Sequence, residues 1–589
     1  MAKTMTEPTS GLIRSRKLWI CVAVVVALLV IGGAIAGIVI YFGSSKIGGA
    51  IVSNGGPCAE IGMRIMRKYD NVFDSMIATM LCDGVVTMNN MGLGGGFVAV
   101  LYKRNERKAY TINARETAPA AASRYMFVND SVSSALGGKS VAIPGELRGY
   151  WEMYKRFGGS APWRELFVDT IRLVRRGAPI NKHVAFNIKQ NEAVIRANPG
   201  LHQLLTKEGT NELVEEGDVV RNLQLAETLM MIRDMGPDVI YNGSLSHKLV
   251  QDIRQAGGII TDDDLAEYKV KWSRADADVI ANKYNLYSTP APSSGPILSF
   301  IMRVVTRWAQ ARGYDQDKED VSAITETFKY AYGQRTFLGD PAFAKVNDVL
   351  LRLKNDVFIN RVVRRVGASR TSTDLSYYES ESDFQEDHGT ANVVAVGPNG
   401  DAVVATSTIN LIFGSKLVSN STGIILNDEM DDFSSPGVIN YYGVVPSDNN
   451  AIQPGARPVS SMSPAIFTDR DTGDVRLVVG GAGGTRITTA TALVSLRNLF
   501  YKRDLFEAIN TPRYHHQLQD MIWYYERHMN QDLVDEMVER GHNISELARY
   551  NSAVTAISLI GNEILASSDH RRLGNVSYYY PRPALSGYH

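Results

Sequence analysis

Only three of the 589 residues are cysteine and ten are histidine, and neither charge sign is in excess, with 62 basic against 62 acidic side chains. That balance removes the electrostatic footprint of a nucleic-acid or polyanion binder. The histidines show no ligand spacing with cysteines or carboxylates, so no metal is expected. No glycine pattern calls for an organic cofactor either. The run Gly92-Leu93-Gly94-Gly95-Gly96 lies between a helical stretch and a strand, the reverse of the order a dinucleotide fingerprint needs. Gly137-Gly138-Lys139-Ser140 has Ser133 where a phosphate loop requires its first glycine, and is assigned to a loop. Internal repeats and low-complexity tracts are missing too, which sets aside solenoids and disordered arrays.

What is present begins with an uncharged apolar run, Trp19 to Phe42, whose 24 residues are enough to cross a bilayer core of about 30 Å. Arg14, Arg16 and Lys17 precede it and only Lys46 follows closely, a bias that keeps the N-terminus in the cytoplasm. The expectation is a single-pass type II protein of the cell membrane, with a tail at 1–18, a signal anchor at 19–42 and an extracellular remainder. The competing reading is a cleaved signal peptide with Ala34-Ile35-Ala36 as its small-residue site, but such apolar regions run only about 7–15 residues. Cys21 sits inside the run, leaving Cys58 and Cys82 outside the membrane as one disulfide or as two buried thiols. Sequons at Asn129, Asn242, Asn420, Asn543 and Asn575 suit a glycosylated ectodomain.

Ala59 to Leu81 reads as one helical stretch, and 147–365 reads as helices joined by short loops. From Thr390 onward the texture changes. Asn392 to Val396 and Ala402 to Ile409 flank Pro398-Asn399-Gly400-Asp401, a hairpin signal. Further hairpins are expected across 469–474 and around Gly561-Asn562, with helices at 485–500 and 531–540 between them. Antiparallel sheets covered by helices, an α+β architecture, follow from that order.

The chemistry points to Gly389-Thr390 at the head of the first hairpin. If the backbone breaks there, Thr390 supplies a hydroxyl nucleophile and, with an ordinary pKa of about 7.7–8.0, an α-amine to act as its base. Four polar clusters follow: Thr406-Ser407-Thr408-Ile409-Asn410, Asp428-Glu429-Met430-Asp431-Asp432, Ser460-Ser461-Met462-Ser463, and Gly480-Gly481-Ala482-Gly483-Gly484-Thr485. Glycines before a helix gather backbone N–H groups as an oxyanion hole does. The acidic cluster suits an ammonium group, and Arg115 suits a carboxylate. Both charges on one ligand describe an amino acid.

The motifs Met91-Gly-Leu-Gly-Gly-Gly, Asn113-Ala-Arg-Glu, Ala142-Ile-Pro-Gly-Glu, Gly389-Thr-Ala, Thr406-Ser-Thr-Ile-Asn-Leu, Glu429-Met-Asp-Asp-Phe-Ser-Ser-Pro, Ser460-Ser-Met and Gly483-Gly-Thr occur in an order that resembles the γ-glutamyltransferases (γ-glutamyltranspeptidases) from Ile51 to the C-terminus. The resemblance implies an N-terminal nucleophile (Ntn) hydrolase fold of αββα layers with an additional helical layer. It implies a precursor that cuts itself into a large subunit ending at Gly389, with its ectodomain at 43–389, and a small one, 390–589, which stay together as a heterodimer. By the same resemblance Thr390 is the nucleophile, Thr408 orients it, and Gly483 and Gly484 hold the oxyanion. Arg115, Ser460 and Ser461 take the substrate α-carboxylate, while Asn410, Glu429 and Asp432 take its α-amino group. The implied substrates are glutathione and its S-conjugates, with water, amino acids or dipeptides as acceptors.

Two positions depart from the family pattern: Asn392 stands where relatives usually carry histidine, and Val394 where they carry a small hydroxyl residue. Ile412 also stands where many animal relatives have an aromatic residue. These departures motivate a rival reading, an ectodomain that keeps the fold as a binding or scaffold protein without useful turnover. A related acylase with another acyl group is disfavoured, since it would not need both ionic clamps.

Overall fold

The computed structural model describes residues 48–313, 319–380, 389–436, 447–561 and 563–579. The Trp19–Phe42 run lies outside them, and among the described residues no helix is long and apolar enough to cross a membrane. Two antiparallel sheets dominate. The strands that build them are β1 (Gly49–Ser53), β2 (Gly96–Lys103), β3 (Lys108–Ala114), β4 (Lys271–Ala275), β5 (Asp278–Ile280), β6 (Tyr284–Ser288), β7 (Gly389–Val396), β8 (Ala402–Asn410), β9 (Ala465–Asp469), β10 (Val475–Ala482), β11 (Ala553–Ile560), β12 (Glu563–Ser567) and β13 (Asn575–Tyr579). The first sheet runs β13-β1-β7-β8-β2-β3-β4 and the second β12-β11-β10-β9-β6-β5.

Strand parity assigns the faces, because side chains alternate across a sheet. On β7 the odd residues Ala391, Val393 and Ala395 enter an apolar core with helices α1 (Cys58–Tyr69), α2 (Val72–Val86) and α3 (Glu146–Phe157). The even residues, Thr390 and Asn392 among them, therefore face the second sheet. Helices α4 (Gly295–Ala311), α5 (Val321–Arg335) and α6 (Arg486–Ser495) cover that sheet's other side around Phe467, Leu477 and Val479. Helix, sheet, sheet, helix is the layer order.

The 397–401 turn joins β7 to β8 as the hairpin signal predicts, with Gly400 at φ +80°, a value L residues disfavour. The other two expected hairpins form as β9-β10 and β11-β12. Two expectations need correction. The Ala59–Leu81 stretch is two helices, because Asp70 adopts left-handed backbone and the Asn71 side chain caps α2 through the Phe73 and Asp74 amides. The 147–365 region is not purely helical: it contributes β4 to an edge of the first sheet, and β5 and β6 to the second. Cys58 at the start of α1 is disulfide-bonded to Cys82 in α2. All five sequon asparagines are exposed.

Candidate active site

Gly389 opens β7, and Thr390 pairs with Thr408 of β8 across the ladder. Thr390 is wholly buried, and its Oγ1 has no hydrogen-bond partner among the described residues. An orphaned hydroxyl in a dry interior costs on the order of 1–3 kcal/mol, a cost that persists where a group is kept for chemistry. Thr408 Oγ1 donates to the Gly389 carbonyl, the carbonyl of the bond preceding Thr390, and accepts from the Asn410 amide at 2.8 Å. The Thr408 hydroxyl thereby polarises the carbonyl that precedes the unpartnered Thr390 side chain.

Past the end of β8 the chain turns sharply, with Asn410 at φ +70° and its Nδ2 on the Asp428 carbonyl at 3.1 Å. Asn427 ties the acidic turn to two glycine-containing motifs, donating to Gly94 at 2.7 Å and Ala142 at 2.9 Å. Gly95 is glycine for a steric reason: a Cβ there would lie 2.0 Å from the Thr408 carbonyl oxygen. The glycine run thus does more than make a turn. It lets β2 approach the strand that carries Thr408.

Arg115, at the end of β3, is 1% exposed. Its guanidinium donates to Glu429 and, at 2.9 Å, to Asp432, while Glu116 lies 3.5 Å from its Nε. The two groups expected to hold opposite ends of an amino acid therefore pair with each other in this structure. Three carboxyls crowd one guanidinium, with Arg457 on the Arg115 carbonyl as a more distant counter-charge. Burial pushes Glu116 up to about 7 against the pull of Arg115. Burial raises Glu429 well above the carboxylate range as well, with Glu116 and Asp432 adding to it and Arg115 opposing. Burial and mutual repulsion thus disfavour the ionised forms of these carboxyls, and a cation beside them would favour ionisation.

Ser460 and Ser461 reach this cluster through Met462, whose sulfur is 3.9 Å from the Arg115 guanidinium. Ser461 is held on both sides, its hydroxyl by Arg335 at 3.0 Å and its carbonyl by Thr488 of α6 at 2.9 Å. Gly483 and Gly484 link β10 to α6 with φ of +127° and +63°. A Cβ on Gly483 would sit 2.1 Å from the Asn551 carbonyl oxygen, so no larger residue fits. Across the sheets, Asn392 accepts from Thr406 at 2.7 Å, donates to Thr555 at 2.7 Å, and packs against Gly480, where a Cβ would come within 2.2 Å of its Oδ1. It is a strut between the layers, with both ends of its amide bonded.

Arg335, Arg457 and Arg572 were not singled out by sequence. Arg572 donates to the Thr390 carbonyl from 182 residues away, a separation no local pattern can signal. Among the described residues no group of three or more His, Cys, Asp or Glu is placed to hold a metal ion.

A family model described as gamma-glutamyltranspeptidase matches residues 58–579. The chain is similar to Scoloptoxin SSD14 of Scolopendra dehaani, 40% identical over 532 residues that cover 90% of this chain and 92% of that protein. It is similar to Glutathione hydrolase proenzyme 1 of Schizosaccharomyces pombe, 34% identical over 544 residues covering 90% and 84%. Among solved structures, a cephalosporin acylase from Bacillus halodurans superposes with a TM-score of 0.77 at 18% identity, over 90% of this chain and 96% of that one. At that identity the likeness speaks for the fold alone.

Proposed function

This chain belongs to the gamma-glutamyltranspeptidase family, and from that premise we propose that it is a self-processing γ-glutamyltransferase and glutathione hydrolase of the cell surface. The observation that carries the reading is the buried, unpartnered Thr390 hydroxyl beside a carbonyl already engaged by Thr408. In self-cleavage the Thr390 oxygen attacks the Gly389 carbonyl carbon, the C–N bond breaks, and the nitrogen leaves with the hydroxyl proton. Water then hydrolyses the ester, releasing the Gly389 carboxylate and restoring the Thr390 hydroxyl beside the α-amine that the first step freed.

That amine next serves as base for its own hydroxyl. Attack on the γ-carbonyl of glutathione or an S-conjugate forms a γ-glutamyl ester on Thr390 and expels the cysteinylglycine amine, which takes the proton. Water gives glutamate, and an amino acid or dipeptide amine gives a new γ-glutamyl amide. Gly483 and Gly484 stabilise the oxyanion in both halves. The α-carboxylate displaces acid from Arg115 and binds there with Ser460 and Ser461, while the α-ammonium takes Glu429, Asp432 and Asn410. Exchange of internal ion pairs for those of a zwitterion keeps the buried charge compensated.

The products of cleavage, 1–389 and 390–589, remain a heterodimer because β7 and β8 sit between β1 and β2 in one sheet. The 19–42 run anchors the large subunit in type II orientation, and the exposed sequons carry glycans. Purified protein is expected to hydrolyse γ-glutamyl-4-nitroanilide, and Thr390→Ala to lose on the order of 10³-fold or more of kcat. A wild-type protein that folds, stays intact and turns over nothing would support the scaffold reading instead.

A further inference from the structure

The serine loop 460–462 is held by its backbone. The Ser460 amide donates to the Pro292 carbonyl at 3.0 Å, and Ser294 donates to the Ser460 carbonyl through its hydroxyl at 2.7 Å and to the Met462 carbonyl through its amide at 3.0 Å. Thr488 completes the frame on the Ser461 carbonyl. With the main chain fixed in this way, what remains to be set is the direction in which each serine O–H points.

A hydroxyl offers one proton and two lone pairs, whereas a carboxylate only accepts. For Ser460 and Ser461 to hold a carboxylate, both protons must be kept for it. Each oxygen already accepts from a group that cannot accept in return: Ser460 Oγ from the Met462 amide at 3.3 Å, and Ser461 Oγ from Arg335 Nη2 at 3.0 Å. Neither hydroxyl donates a hydrogen bond among the described residues. The two donors differ in kind. The Met462 amide is neutral, but the Arg335 guanidinium is a cation, 5% exposed, against a wholly buried Ser461. A bond from a cation in a dry interior polarises the hydroxyl it reaches and strengthens the bond that hydroxyl can give.

Arg335 is the last residue of α5, and Tyr332, three positions earlier, lies on the same face. The Tyr332 hydroxyl donates to the carbonyl of Thr485, the residue after the Gly483-Gly484 pair. One helical turn therefore braces the serine loop and the exit of the glycine pair together.

We infer that Arg335 is a positioning residue for the α-carboxylate of the γ-glutamyl donor, acting through Ser461: it commits the Ser461 hydroxyl to donation and adds a second positive charge, beyond that of Arg115, behind the carboxylate. The inference rests on the γ-glutamyltransferase reading and names a residue outside the groups that touch the donor. On that reading Arg335 belongs to 1–389 and Ser461 to 390–589, so the bond also joins the two cleavage products where the donor is held.

The test is a double-substitution cycle read with γ-glutamyl-4-nitroanilide. Arg335→Gln is expected to raise KM about tenfold with kcat within about twofold, because the α-carboxylate is remote from the reacting carbonyl and is held alike in ground and transition states. Arg335→Lys, which keeps a charged donor, should recover part of the loss. On Ser461→Ala, adding either substitution should move KM by less than about twofold, since the hydroxyl through which Arg335 acts is gone. Should Arg335→Gln fail to fold, Arg335→Lys with and without Ser461→Ala makes the same comparison. An unchanged KM, a loss confined to kcat, or a penalty that persists in full on Ser461→Ala would overturn the inference, with wild-type anilide turnover still standing for the family reaction. A wild type that turns over no anilide would overturn the reading itself.

Discussion

Arg115 and Arg549 sit in opposite settings: the first is 1% exposed among three carboxyls, while the second is exposed, with Phe186 beneath it. A buried cation has a fixed answer to one ligand. Its partners are placed in advance, its desolvation is already compensated, and any shape that fails to replace each bond is rejected. An exposed cation above an apolar wall attracts a charge without dictating the rest of the molecule. On the proposed reading, the Arg115 cluster is therefore built for one zwitterion.

Removing the guanidinium on each side tests that contrast. Arg115→Gln leaves Glu116, Glu429 and Asp432 facing one another in the core, and is expected to cost roughly 3–5 kcal/mol of stability. Arg549→Gln, with no ion pair to break among the described residues, should stay within about 0.5 kcal/mol of wild type. Thermal melts of the two proteins decide it, and equal losses would erase the distinction.

A smaller effect is expected where the two layers are joined. Asn392→Ala orphans the Thr406 hydroxyl, removes the amide donor to Thr555, whose own bond to the main-chain carbonyl of residue 392 remains, and opens space against Gly480, a loss of about 1–3 kcal/mol. Because Asn392 lies two residues from the nucleophile, self-cleavage should slow in step with the fall in melting temperature. Unchanged melting with slowed cleavage would instead make Asn392 part of the chemistry.

The smallest effect is a pH dependence. Glu146, behind β8, is pushed up to about 8 by burial, while Ser407 and Tyr150 pull the other way. Between the ordinary glutamate value and about 8 the folded protein holds a proton that the unfolded chain releases, so this residue's contribution to stability falls as pH rises through that window. Glu146→Gln cannot lose a proton and should flatten the decline. Melts at about pH 5.5 and 8.5 measure it, and an equally steep decline in the variant would contradict the assignment.

The hairpins were legible because each strand pair is long, alternates cleanly and turns on residues suited to the turn, as at Asn399-Gly400. The strands Lys271–Ala275, Asp278–Ile280 and Tyr284–Ser288 were not, since they are short, lie toward sheet edges and carry Lys271, Arg274 and Asp278 among their residues. Tertiary pairing, rather than alternation, holds them. The charge types of the glutamyl site could be read from sequence, but its internal pairing could not. Nothing local indicates that Arg115 will meet Glu429, 314 positions away, before it meets a ligand.

The most direct measurement is N-terminal sequencing of the bands that purified wild type and Thr390→Ala give on a denaturing gel. The account predicts a small fragment beginning Thr390-Ala391-Asn392 from wild type and an uncut chain from the variant. A wild-type chain that remains whole, or a fragment that begins elsewhere and persists in Thr390→Ala, would contradict it.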